Sequence, residues 1–224
     1  MKKIAVVTGA SRGIGRAVAL ELAKTHEVYA GARHPEDVPE GVIGFRLDVA
    51  DEDGVKGAVE KLGLESVDVL VNCAGVAQEK PFAEFGRKEW RDVFDVNVFG
   101  VADLTRALLP ALRKANGIVV MMNSGSGTFT YPNGSVYCAS KFALRAMTDA
   151  LREEERANGV RVTSIHPGFV STDMGRGLRE QQGRPGGDDT YVTAEEIAAA
   201  VRFAVDTPAN AQVETVSVRP MQKP

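Results

Sequence analysis

The sequence predicts a doubly wound α/β fold built on a seven-stranded, mostly parallel sheet with helices on both faces. Three observations point there. Short apolar runs rich in β-branched residues alternate with longer segments of helical periodicity. The runs are nearly continuous rather than strictly alternating, as expected of strands covered on both sides. The first run also passes directly into a glycine-rich turn and a helix. The expected strands are Ile4–Val7, Glu27–Ala32, Gly44–Val49, Asp68–Asn72, Gly117–Met122, Arg161–His166 and Val213–Val218. The expected helices are Ile14–Lys24, Asp51–Leu62, Lys88–Ala115, Val136–Asn158 and Ala194–Val205. Strand and helix in turn is the pattern of right-handed βαβ crossovers.

The 224 residues suit one domain, residues 1–224, with a continuous core and no need of staples. The glycine- and proline-rich stretch 175–187 is too short for a domain, and a substrate flap is expected at about 173–192. Hydrophobic residues make up 44% and charged residues 25%, which excludes a disordered or fibrous chain. A net charge of −3 and a pI of about 5.7 argue against nucleic-acid and anionic-membrane partners. Cys73 and Cys138 are too few for a disulfide scaffold, and with His26, His34 and His166 they have no metal-ligand spacing. The apolar run after Lys2-Lys3 stops at Thr8, short of a signal peptide, and no run reaches a membrane span of roughly 18 residues. A cytoplasmic, reducing setting is expected.

The segment Thr8-Gly9-Ala10-Ser11-Arg12-Gly13-Ile14-Gly15 joins the first strand to the first helix. Its glycines permit a tight turn and close approach of a pyrophosphate, and the helix N-terminus offers free N–H groups to the anion. This is the signature of a Rossmann-type dinucleotide site. An NAD site places an acid at the end of the second strand, but here that strand ends in Arg33, and Arg12 sits in the glycine loop. Two cations suit a 2′-phosphate, so NADP(H) is expected over NAD(H).

Tyr137 and Lys141 are four residues apart, on one face of the helix after the fifth strand. Free tyrosine, with a pKa near 10, is a poor proton donor and acceptor at neutral pH. A cation about 5 Å away contributes roughly 3 kcal/mol at an effective dielectric of 20, which is expected to lower the phenol by about two units. Ser124 lies just past the fifth strand, at the carboxyl edge where open α/β folds bind ligands. Asn97 interrupts a helix otherwise suited to continuing. His166 is read as structural.

These residues, in this order, resemble the short-chain dehydrogenase/reductase family in its compact single-domain form. The match runs from about Lys2 to Pro220 and includes Leu47-Asp48-Val49, Asn72-Cys73-Ala74-Gly75, Asn97, Ser124, Tyr137, Lys141 and Pro167-Gly168 followed by Thr172. The resemblance implies hydride transfer between a carbonyl and an alcohol. It makes Tyr137 the general acid or base, with Lys141 lowering its pKa and binding the nicotinamide ribose. Ser124 would hydrogen-bond the substrate oxygen, and Asn97 would hold a water leading to Lys141. The implied cofactor contacts are Gly9, Ser11, Arg12, Gly13, Ile14, Gly15, Arg33, Asp48, Val49, Asn72, Ala74, Gly75, Tyr137, Lys141, Pro167, Gly168, Val170 and Thr172, those of Asn72–Gly75 through the main chain, with no metal. Cys73 and Asn123 depart from the commoner asparagine and serine. Phe82, Phe129, Tyr131 and Met174 suggest a partly apolar small-molecule substrate, and a homodimer or homotetramer is expected. The alternative is a non-catalytic NADP(H)-sensing interaction protein on the same fold. Epimerases and dehydratases usually carry a further C-terminal region for which this chain has little room.

Overall fold

A computed structural model of the chain describes residues 2–183 and 190–221. The strands are β1 (Lys3–Thr8), β2 (His26–Ala32), β3 (Ile43–Arg46), β4 (Val69–Asn72), β5 (Ile118–Met122), β6 (Arg161–Pro167) and β7 (Thr215–Val218). They form one sheet in the order β3-β2-β1-β4-β5-β6-β7. Every pairing is parallel, so the expectation of a mostly parallel sheet understated the regularity.

The helices are α1 (Gly13–Ala23), α2 (Glu52–Leu62), α3 (Arg87–Phe94), α4 (Gly100–Ala115), α5 (Ser135–Glu155), α6 (Asp173–Gln181) and α7 (Ala194–Asp206). Alternate strand residues feed two cores. Val69, Val71, Ile118 and Val120 pack with Leu22 of α1 and Ile197 and Val201 of α7. Leu70, Val119 and Met121 face the other way, onto Leu104, Leu108 and Leu112 of α4 and Leu144 of α5. Continuous apolar strands are thus the sequence record of a sheet buried on both sides.

Three expectations need correcting. The helix expected over 88–115 is divided: α3 and α4 are joined by one π-helical stretch, Asp95–Phe99, which turns Asn97 inward. A π-turn inserts an extra residue and reorients the side chains around it. The third strand ends at Arg46 rather than at residue 49. The first part of the expected flap is a helix, α6, despite its glycines. Thr172 caps it by accepting a hydrogen bond from the Gly175 amide at 3.2 Å, and a Cβ on Gly175 would run into the Val170 carbonyl. Residues 184–189 of the flap lie outside the described residues.

The strand order reverses between β1 and β4, where successive crossovers leave toward opposite edges and open a crevice. Thr8, at the end of β1, holds the crevice closed at its base. Its hydroxyl oxygen accepts from the main-chain N–H groups of both Cys73 and Ala74 at 3.0 Å. Thr8→Val keeps the shape and leaves two amides without this acceptor, so thermal unfolding should show a loss of about 1–3 kcal/mol. Thr8→Ser should lie close to the native protein; equal stability of all three proteins would refute the role.

Candidate active site

The strands end together along one edge, and a cavity of about 720 Å³ runs along it. This lies within the range of small-molecule and cofactor sites, about 300–1,000 Å³. At one end stand Gly9, Ser11, Arg12, Gly13, Ile14, Gly15, Arg33, Asp48 and Val49; at the other are Ser124, Tyr137, Lys141, Pro167, Gly168, Val170 and Thr172, with Ala74 and Gly75 also in the wall. Three expected residues do not line it. The exposed Phe82 ring lies 6.4 Å from that of Trp90 instead. Asn72, expected through its main chain, is buried, and its side-chain amide donates to Thr105 Oγ1 at 3.1 Å, which ties β4 to α4. Asn97 is likewise enclosed.

The glycine loop fits a pyrophosphate on three counts. Gly9 and Gly13 take φ of +63° and +53°, in the left-handed region. A Cβ on Gly9 would lie 2.9 Å from Ala74 Cα, and one on Gly15 would strike the Gly9 carbonyl. The N-terminus of α1 has no side-chain cap and no acid in its first turn, so its N–H groups face the cavity uncompensated. Arg12 and Arg33, both exposed, line the same end, and no acid stands at the end of β2.

The chemistry gathers at the start of α5. Tyr137 and Lys141 are 7% and 5% exposed, and Lys141 Nζ lies 5.8 Å from the centre of the Tyr137 ring. Nζ donates to the Met122 carbonyl at the end of β5 at 2.9 Å. The expected lowering of Tyr137 is not found. Burial pushes the phenol up to about 12, against a smaller opposing pull from the Ser124 hydroxyl. Burial also brings Lys141 down to about 8, which weakens the very charge expected to acidify its neighbour. Desolvation disfavours both ions.

Ser124 caps the turn Gly125–Gly127 by accepting from the Ser126 N–H at 3.1 Å. Its carbonyl is 2.9 Å from His166 Nδ1, and His166 Nε2 is 2.8 Å from Ser164 Oγ. Burial holds His166 below the usual imidazole range, so the neutral ring braces the Ser124 main chain. Asn97 Oδ1 accepts from the Val76 N–H, and Nδ2 donates to the Val76 carbonyl and to Ser140 Oγ. Ser140 Oγ in turn donates to the Tyr137 carbonyl. Both Nδ2 hydrogens of Asn97 are thus engaged, and its side chain fixes the cavity wall to α5. Sequence reasoning missed Glu79, Phe169, Gln182 and Arg219, which also line the cavity; none carries a local motif.

Among the described residues there is no cluster able to hold a metal ion, and no helix is long and apolar enough to cross a membrane. A family model described as short chain dehydrogenase matches residues 3–183. Serine 3-dehydrogenase of Agrobacterium fabrum is 30% identical, across 97% of this chain and 94% of its own length. The 3-oxoacyl-(acyl-carrier-protein) reductase FabG of Escherichia coli is 34% identical, across 96% and 95%. A closed form of serine dehydrogenase complexed with NADP+ superposes with a TM-score of 0.89 at 27% identity, covering 99% of this chain and 96% of that one. An alcohol dehydrogenase from the archaeon Thermococcus sibiricus, complexed with 5-hydroxy-NADP, gives 0.87 at 30% identity, covering 99% and 98%. With the glycine loop, the parallel sheet and the Tyr137–Lys141 pair in place, these likenesses make the chain a member of the short-chain dehydrogenase family.

Proposed function

We propose that the protein is an NADP(H)-dependent oxidoreductase that interconverts a carbonyl and an alcohol, with Tyr137 as the group that gives and takes the proton. The observation that carries this reading is the continuity of one cavity from the glycine loop to the buried Tyr137, Lys141 and Ser124. Bound there, NADPH supplies the hydride. Arg12 and Arg33 would hold its 2′-phosphate, and the N–H groups of α1 its pyrophosphate. Relatives named as dehydrogenases and reductases support turnover, and do not favour the sensing alternative.

In reduction, the Tyr137 phenol donates its proton to the substrate oxygen, while the Ser124 hydroxyl donates a hydrogen bond as negative charge grows there. Burial suits the first role, because it keeps the phenol protonated through the neutral range. Lys141, charged below about 8, compensates the phenolate left behind. Asn97 would act through Ser140, which anchors the turn bearing Tyr137.

The pH dependence follows in sign. Reduction needs the protonated phenol and the charged Lys141, so it should hold steady through neutral pH and decline above about 8. Oxidation needs the phenolate, so it should climb with pH up to about 8 and level off above it, where Lys141 loses the charge that stabilises the phenolate. Initial rates in both directions from pH 6 to 10 test this; oxidation falling with pH would contradict it. Tyr137→Phe should lower turnover about 10²–10⁴-fold with NADPH binding retained, and unchanged turnover would remove Tyr137 as the acid. Arg33→Asp should cost kcat/KM with NADPH about 10–100-fold more than with NADH. Equal losses would remove the 2′-phosphate assignment.

A further inference from the structure

Past Tyr137 the cavity is walled by Phe129, Phe169, Met174 and Leu178, an apolar surround that sequence reasoning partly foresaw. One cation in that wall, the exposed Arg219, has no ion-pair partner among the described residues. Arg219, directly after β7, lies with its guanidinium 5.5 Å above the centre of the Phe129 ring. It also lies against Gly125, where a Cβ would come within 2.9 Å of Nη1. The missing side chain next to Ser124 is what lets the cation rest beside the residue proposed to meet the substrate oxygen.

No hydrogen bond or ion pair engages Arg219 among the described residues. The acids of the cavity are occupied elsewhere. Asp173 pairs with Arg176 at 2.8 Å, Asp48 accepts from the Ala50 N–H at 3.1 Å, and Glu79 accepts from Tyr131 at 2.7 Å and Gln182 at 3.1 Å. A guanidinium stacked on a ring keeps its donors in a fixed fork suited to a carboxylate.

We propose that Arg219 anchors an anionic group of the substrate, so that the preferred carbonyl or hydroxy compound carries a carboxylate a few atoms from the reacting carbon. The proposal rests on the oxidoreductase reading and sharpens it. Glu79 lines the same cavity and repels an anion placed toward it, which directs the carboxylate to the Arg219 side. The cofactor's phosphates are the other possible source of negative charge. Their proposed partners follow β1 and β2, whereas Arg219 follows β7 at the opposite edge of the sheet.

The test compares 3-oxobutanoate with its methyl ester, an uncharged molecule of the same skeleton, as substrates with NADPH. The native protein should prefer the acid in kcat/KM. In Arg219→Met that preference should fall about 10–100-fold, chiefly through KM, and Arg219→Lys should recover part of it. NADPH affinity, read by fluorescence of the bound cofactor, should not follow the same pattern. No preference for the acid in the native protein, an equal loss on acid and ester in Arg219→Met, or a loss confined to NADPH affinity would each overturn the proposal. If neither compound is reduced, calorimetric titration of the NADP+-saturated protein with 3-hydroxybutanoate decides instead. Binding that Arg219→Met abolishes supports the anchor, and no binding to the native protein refutes it. Failure of the oxidoreductase reading is distinct, since it appears as an absence of NADPH oxidation with every carbonyl while Arg219-dependent carboxylate binding persists.

Discussion

The hydroxyl of Thr8 carries the constraint on which the rest of the site depends. At the one place where the sheet changes direction, it gathers the amides of Cys73 and Ala74 and so fixes the exit of β4 against the exit of β1. The contact is close enough that Gly9 has no room for a side chain beside Ala74. The glycine loop and the Cys73–Gly75 segment, which form opposite lips of one groove, therefore cannot shift independently. From Ala74 and Gly75 the chain continues to Val76, which Asn97 grips through both its N–H and its carbonyl. Asn97 is in turn bonded to Ser140, and Ser140 to Tyr137. These hydrogen bonds, with the main chain between Ala74 and Val76, thus link the glycine-loop end of the cavity to the Tyr137 end.

Burial then decides the electrostatics. Tyr137 and Lys141 sit side by side where water is scarce, and each is displaced toward its neutral form. A neutral phenol is the form that donates a proton, which is the form the proposed reduction requires. The Met122 carbonyl holds the amine in place, and His166 braces the main chain of Ser124 from the far side. Preorganised groups of this kind need little rearrangement as charge develops on a substrate oxygen.

Much of this was legible in the amino-acid order, and the reasons are physical. Parallel strands buried on both faces leave continuous apolar runs, so all seven strands could be placed, and only their ends slipped. The glycine loop was visible because positive φ and close backbone approach both demand glycine at Gly9. What escaped depends on three-dimensional context. No local signal marks a π-turn, because Asn97 differs from an ordinary helical polar residue only in what it meets across the fold. The motif around Asn72 suggested a main-chain role, and it gave no sign that the side chain ties β4 to Thr105 of α4. The acidity of Tyr137 was misjudged because the attraction of a nearby cation can be read from spacing, whereas the cost of burying both groups cannot. α6 was hidden by its glycines, whose need becomes clear only beside the Val170 carbonyl.

The account stands or falls on hydride transfer at the end of the cavity where Tyr137 lies. The most direct measurement follows the label from NADPH carrying deuterium at the transferable position of its nicotinamide ring, with an aldehyde or ketone that the protein reduces. Nuclear magnetic resonance should find deuterium on the newly formed carbinol carbon, in proportion to the NADPH consumed. Binding of NADPH without consumption across a broad carbonyl panel, or label lost to water and absent from that carbon, would contradict it.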